Sequence, residues 1–285
     1  GATPVLADSS DLNDWNISLE SIKQKVTDKT KAIIVVHYAG YPCKDIAAIS
    51  EFCQDKGIGL IEDVAHAPGA SINGKSCGTF GDVGCFSFFS NKNLSIGEGG
   101  MVSTLSSDLY KKLGYLRSHG MTTLTLDRHK GRAITYDVEQ AGLNYRMDEI
   151  RSAIGSVQLK KLPAGNSRRG ELTQRYRSRL SGSSVMIPFD TMPKTSKSVY
   201  HILPVLLPQG ADRVMVIGAL KEKGIQSSIH YPSFWDFTAY KGQFFPEDFP
   251  VTAEICKRQL TLPLFPTMTN EEVDQVTSAI IKALG

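Results

Sequence analysis

The chain has 285 residues, 41% of them hydrophobic and 21% charged, which gives it enough apolar material for one large and one small folded domain. A formal net charge of +3, with Lys and Arg spread along the chain, argues against nucleic acid as a partner. The absence of a bilayer-length apolar run or a signal pattern argues against a membrane, and five scattered cysteines without a Cys-x-x-Cys pair suggest neither a disulfide framework nor a metal site and fit a reducing cytoplasm.

In chain order, residues 31–36 predict a β-branched strand, residues 45–56 a helix closed by Gly57, and residues 58–61 a second strand that runs into Glu62 and Asp63. Strand, helix, strand is the βαβ unit of a parallel sheet, and ligands of such sheets sit beyond the carboxyl ends of the strands. Two further short strands are expected at residues 83–88 and 100–104, joined by a polar, glycine-flanked loop over residues 90–99 that carries Lys92. This loop is where chemistry is expected, since Gly97, Gly99 and Gly100 let backbone approach a flat ligand closely.

Residues 107–118 read as a helix, residues 122–133 as a polar stretch, and residues 147–162 as a longer helix stopped by Pro163. A helix at residues 168–180 would connect to a second lobe. There the pattern predicts a strand at 200–207, a helix at 213–223, a strand at 225–231 and a closing helix at 270–283 with Thr269 as its N-cap. The expected architecture is α/β, with a mostly parallel sheet flanked by helices in residues 1–165, and a connector helix plus a smaller α/β domain in residues 166–285.

Several segments in the same order resemble one family. They are residues 61–70 (IEDVAHAPGA) and 81–100 (GDVGCFSFFSNKNLSIGEGG), with GATPV at 1–5, HYAG at 37–40, RSHGM at 117–121, LNYRM at 143–147 and LPLFP at 262–266. Together they resemble the DegT/DnrJ/EryC1/StrS family of sugar aminotransferases over nearly the whole chain. The resemblance implies the fold type I architecture of enzymes that use pyridoxal 5′-phosphate (PLP), usually a homodimer with active sites shared between subunits. It also implies that the chain starts inside the large domain, because the family's phosphate-cradling helix start and ring-stacking aromatic precede the stretch that GATPV resembles.

The roles implied by the resemblance agree with what PLP needs. Lys92 matches the Schiff-base lysine, a solvated surface lysine being the other reading, and Asp63 matches the acid that keeps the pyridine nitrogen protonated, a cap of the turn after its strand being the other reading. Ser87 stands where the family places a phosphate-binding hydroxyl; on a strand it faces opposite to Phe86 and Phe88, and a bond to neighbouring backbone is the other reading. His66 lies where members carry Gln or His near the cofactor's 3′-oxygen, and a purely structural histidine fits equally well. Asn144, and after it Arg146, match the segment that in the family reaches the phosphate of the neighbouring subunit's cofactor; surface residues at a helix start are the other reading of both. In the second lobe IHYP at 229–232 matches a substrate-side motif, with His230 either touching substrate or holding a structural bond; Phe234 and Trp235 depart from the histidine that many members carry next.

The implied reaction moves an amino group, from glutamate as donor, to a keto-sugar nucleotide. A dehydratase of the same family is the nearest alternative, but those enzymes typically replace the lysine with histidine. A catalytically inactive or regulatory member is the third reading.

Overall fold

A computed structural model of the chain describes residues 1–123, 130–131 and 135–285. The polar stretch expected at residues 122–133 therefore falls largely outside the described residues.

Strand β1 (Ala32–Val36) alternates buried and exposed positions, burying Ile33 and Val35 on one face. Helices α1 (Leu19–Lys25) and α2 (Ile46–Lys56) cover that face with Ile22, Ile46, Ile49 and Cys53. Gly57 ends α2 at a φ of 62°, and its N–H reaches the carbonyls of Cys53 and Gln54. The chain then enters β2 (Gly59–Asp63), parallel to β1 with Val36 opposite Asp63.

A hairpin of β3 (Ser71–Ile72) and β4 (Lys75–Ser76) turns on Asn73 and Gly74, both at positive φ, the requirement of a tight two-residue turn. Strands β5 (Val83–Ser87) and β6 (Gly100–Ser103) complete the main sheet in the order β1-β2-β5-β6, with β2 and β5 parallel and β5 and β6 antiparallel. The five cysteines are unpaired.

Beyond α3 (Ser107–Leu116) the expectation of a helix stopped by Pro163 is corrected. A single α4 (Glu149–Leu180) runs for 32 residues with Pro163 inside it. Proline removes one backbone donor, but tertiary packing overrides this: Leu162, Asn166, Arg169, Leu172, Tyr176 and Leu180 form a buried stripe on both sides of it. The boundary expected at residue 165 thus lies within this helix.

The second lobe packs the C-terminal half of α4 against β8 (Leu203–Leu206), β9 (Gln259–Leu262), α5 (Arg213–Glu222) and α7 (Asn270–Leu284), around Leu172, Tyr176, Leu203, Leu220, Leu260 and Ile280. Between them, β7 (Ser196–Lys197) pairs with β3, and α6 (Pro250–Arg258) leads into β9. Thr269 caps α7 as expected, in a reciprocal capping box with Glu272. Two expectations are corrected here. The strand expected at 200–207 is limited to β8, because Tyr200 adopts a φ of 51° and His201 bonds to Ala39. The strand expected at 225–231 is reduced to one bridge between Ser228 and Thr261. Among the described residues, no helix is long and apolar enough to cross a membrane.

Candidate active site

The main sheet has two unlike faces. Leu60 and Glu62 of β2 point into the helix-covered interior, whereas Ile61 and Asp63 share the other face with Ile34 and Val36, which are 60% and 41% exposed in this chain. Strand register extends the same face onto β5, where Cys85 lies beside Asp63 and Ser87 follows two residues on. Asp63 and Ser87 therefore open onto one side of the sheet at its carboxyl edge. Asp63 Oδ1 accepts from the Ala65 N–H at 2.9 Å, and Ser87 Oγ accepts a long bond of 3.4 Å from the Phe89 N–H, so both readings of Ser87 remain compatible with its position.

Lys92 sits in the loop between β5 and β6. Phe88 closes the neck of that loop, donating to the Gly99 carbonyl at 2.9 Å and accepting from the Ile96 N–H at 2.9 Å. Leu94 and Ile96 are buried against Leu162 of α4, with Phe88 and Met147 alongside. The ammonium is half-buried, and burial pushes its pKa below the ordinary lysine value while the Asp63 carboxylate pulls the other way. An amine biased toward its neutral form beside a carboxylate is what nucleophilic attack on an aldehyde requires.

His66 is buried against the lobe boundary. The Ala39 N–H donates to its Nδ1 at 3.3 Å, so the neutral ring carries its hydrogen on Nε2, which lies 3.2 Å from the Tyr231 hydroxyl. Burial pushes His66 down to about 3, with Lys92 and His230 adding to the shift. The His201 ring lies 4.3 Å from it, centroid to centroid. His230 bonds through Nδ1 to the Thr261 hydroxyl at 2.9 Å, and its carbonyl accepts from the buried Tyr38 hydroxyl. Burial, then Lys92, lowers its pKa as well.

Thus Lys92, Asp63, Ser87, His66 and His230 converge on the carboxyl edge of the sheet where the second lobe meets it. Asn144 and Arg146 belong to another contact set: both are exposed, Asn144 pairs with Ser118 in an antiparallel bridge, and Arg146 donates to the Ser118 hydroxyl at 3.2 Å. Sequence reasoning missed Tyr231, Asn93 and His201. Tyr231 and Asn93 are chain neighbours of residues it selected, but His201 carried no local signal, since its segment reads as strand.

The donor set fits PLP: an amine, a carboxylate and a hydroxyl around an uncovered sheet face, with a neutral imidazole at the side. Among the described residues there is no cluster of His, Cys, Asp and Glu suited to a metal ion.

Known proteins resemble this chain in sequence and in fold. The model of the DegT/DnrJ/EryC1/StrS aminotransferase family matches residues 1–281. The spore coat polysaccharide biosynthesis protein SpsC of Bacillus subtilis is 35% identical over 288 residues, covering 98% of this chain and 73% of its own length. Protein MJ1066 of Methanocaldococcus jannaschii is 35% identical over 292 residues, covering 100% of this chain and 74% of its own length. Among solved structures, protein Spr1654 of Streptococcus pneumoniae in its PMP form superposes with a TM-score of 0.90 at 28% identity, covering 100% of this chain and 76% of the other, and the same protein is also known in a PLP form. The chain belongs to the DegT/DnrJ/EryC1/StrS aminotransferase family and is a PLP-dependent sugar aminotransferase of the α/β type I fold.

Proposed function

We propose that this aminotransferase moves an amino group from glutamate to a keto-sugar nucleotide, with Lys92 as the residue that holds the cofactor. The observation that carries this reading is the placement of Asp63 and Ser87 on one open face of the sheet, with Lys92 in the loop that β5 and β6 close beside them. When bound, PLP supplies the electron sink for charge that develops at the donor's α-carbon.

The residues divide the remaining work. Lys92 Nζ would hold the cofactor and, once free, would take and return the proton at the donor's α-carbon, a task suited to an amine whose pKa burial has lowered. Asp63 would pair with the pyridine N–H and hold its proton. Ser87 would donate to the phosphate, and His66, neutral and fixed by Ala39, would serve the ring's 3′-oxygen. His230 faces the sugar substrate from the second lobe.

Assembly belongs to the same proposal. The first turns of α4 present Ile150, Ile154 and Val157 along one face, exposed by 76%, 44% and 52%, next to the exposed Leu143 and Tyr145. We assign this apolar surface to a homodimer in which Asn144 or Arg146 completes the phosphate site of the neighbouring subunit. Five unpaired cysteines suit work in the cytoplasm.

Borohydride reduction in the presence of PLP, followed by peptide mass mapping, tests the core of the proposal. The expected result is a single PLP-derived adduct on Lys92 that disappears in Lys92→Ala, with glutamate-dependent amination lost as well. An adduct on another lysine would overturn the assignment.

A further inference from the structure

Asn93 directly follows Lys92, and its carboxamide is fully engaged. The two amide hydrogens go to Asn166 Oδ1 at 2.9 Å and to the Val199 carbonyl at 3.0 Å, so Oδ1 is left to accept, and His201 Nδ1 lies 2.9 Å from it. His201 must therefore carry its hydrogen on Nδ1.

None of these partners belongs to the Lys92 loop. Asn166 is in the middle of α4, and its own amide donates to the Pro68 carbonyl at 3.1 Å, in the loop that follows Asp63. Gly69, next in that loop, has a φ of 91°, and a Cβ there would stand 3.3 Å from the same amide nitrogen. One helix residue thus ties down both the loop behind the carboxylate and the loop behind the amine. From the other side, Val199 and His201 are seated on the main lobe by N–H bonds of 2.9 Å and 2.8 Å to the carbonyls of Gly40 and Ala39, while Arg169 holds the His201 carbonyl at 3.1 Å.

We propose that Asn93 is a positioning residue for Lys92: clamped by Asn166, Val199 and His201, it fixes the direction in which the lysine leaves its loop and makes that direction depend on the seating of the second lobe. The inference rests on Lys92 being the cofactor lysine. A loop anchor alone would be redundant, because backbone bonds at Phe88 already close the neck and Leu94 and Ile96 bury the far limb. The Lys92 N–H also donates to the Phe89 carbonyl at 3.0 Å, which places the backbone at residue 92; that bond does not set the direction of the Lys92 side chain, and the amide clamp at the next residue acts there. A misplacement of about 1 Å at a reacting amine is enough to cost on the order of a hundredfold in rate.

The test measures Lys92 without cofactor. Trace acetylation with acetic anhydride across pH, quantified on the Lys92 peptide, gives the titration midpoint of this amine in the unloaded protein. The described groups that act electrostatically with it are Asp63, His66, His201 and His230, all retained in Asn93→Ala. In that variant the midpoint is expected to rise toward the ordinary value as the lysine swings to solvent. The rate of forming the borohydride-reducible PLP adduct should fall by about tenfold or more.

A second pair covers the case in which Asn93→Ala does not fold. His201→Leu, which removes the donor, should reproduce both effects, and His201→Asn, whose amide N–H can take the place of Nδ1–H, should restore them. A lowered unfolding midpoint with unchanged labelling and adduct rates would make the clamp merely structural, and equal behaviour of His201→Leu and His201→Asn would also overturn the proposal. If wild type forms its adduct on a different lysine, the cofactor assignment fails instead, a result read on wild type alone.

Discussion

His37 Nε2 lies 3.0 Å from Glu62 Oε2 with both side chains 0% exposed, directly behind Asp63 on the opposite face of β2. The Cys43 N–H donates to Nδ1 at 3.0 Å, which leaves the neutral ring its hydrogen on Nε2 for the carboxylate. Glu62 also accepts from the N–H groups of Gly78, Phe80 and Gly81 at 2.7, 2.6 and 2.8 Å. The pair and its backbone donors hold the end of β2 in register, so that the next residue, Asp63, faces the cofactor side.

Glu62→Gln should therefore destabilise the fold by about 3 kcal/mol, because an amide offers one acceptor oxygen to a site built from four donors. Burial opposes ionisation of Glu62, but His37 and the backbone N–H groups outweigh it and hold its pKa below the usual carboxylate value. The sign follows: the stabilisation is present above the unfolded glutamate pKa and is lost as pH falls through the lower folded value. Urea titrations of wild type and Glu62→Gln should converge in acid and separate toward neutral pH; a constant gap would refute the linkage.

His66 adds an acid sensitivity of its own. An unfolded histidine takes up its proton near 6.5, whereas the folded ring resists protonation down to about 3. Between these values the unfolded state binds more protons, so stability falls with pH below about 6.5. His66→Gln should remove about 1–2 kcal/mol of the stability loss between pH 7 and pH 5. Unfolding curves for both proteins at those two pH values check this, and an unchanged loss would count against a neutral, buried His66.

Gly40 shows how the lobes approach each other. Its φ is 88°, and a Cβ would fall 2.7 Å from the His201 nitrogen and 2.8 Å from the Tyr200 nitrogen. Gly40→Ala should thus cost several kcal/mol, about 3 or more from strain and overlap together, and push His201 away from Asn93. Thermal unfolding, with the ring protons of His201 followed by NMR, measures both effects.

How far the sequence revealed all this depends on the range of the interactions. The βαβ unit was legible because Ile33, Val35, Ile49 and Cys53 lie at periods set by their own elements. Asp63, Ser87 and Lys92 were singled out because family motifs mark them, and strand periodicity placed Ser87 opposite Phe86. Pro163 misled, since a local rule of helix termination lost to packing of Leu162, Asn166 and Arg169 on either side. The Asn93–His201 bond was invisible because it joins residues 108 apart that neither periodicity nor motif connects.

If Asn144 or Arg146 serves the cofactor of the neighbouring subunit, a chain lacking Lys92 and a chain lacking both Asn144 and Arg146 are each inactive alone, for different reasons. In a mixed dimer one site combines the intact Lys92 of one chain with the intact Asn144 and Arg146 of the other. The second site combines both defects. Random reassociation makes half of the dimers mixed, so activity should return to about a quarter of wild type. The experiment mixes Lys92→Ala with the double variant Asn144→Ala, Arg146→Ala under conditions that exchange subunits, and follows glutamate-dependent amination. The exposed Ile150 and Ile154 supply the control: Ile150→Glu with Ile154→Glu in both chains should leave monomers in sedimentation and abolish the recovery. Dimers that exchange without any return of activity would show that each chain builds its phosphate site alone.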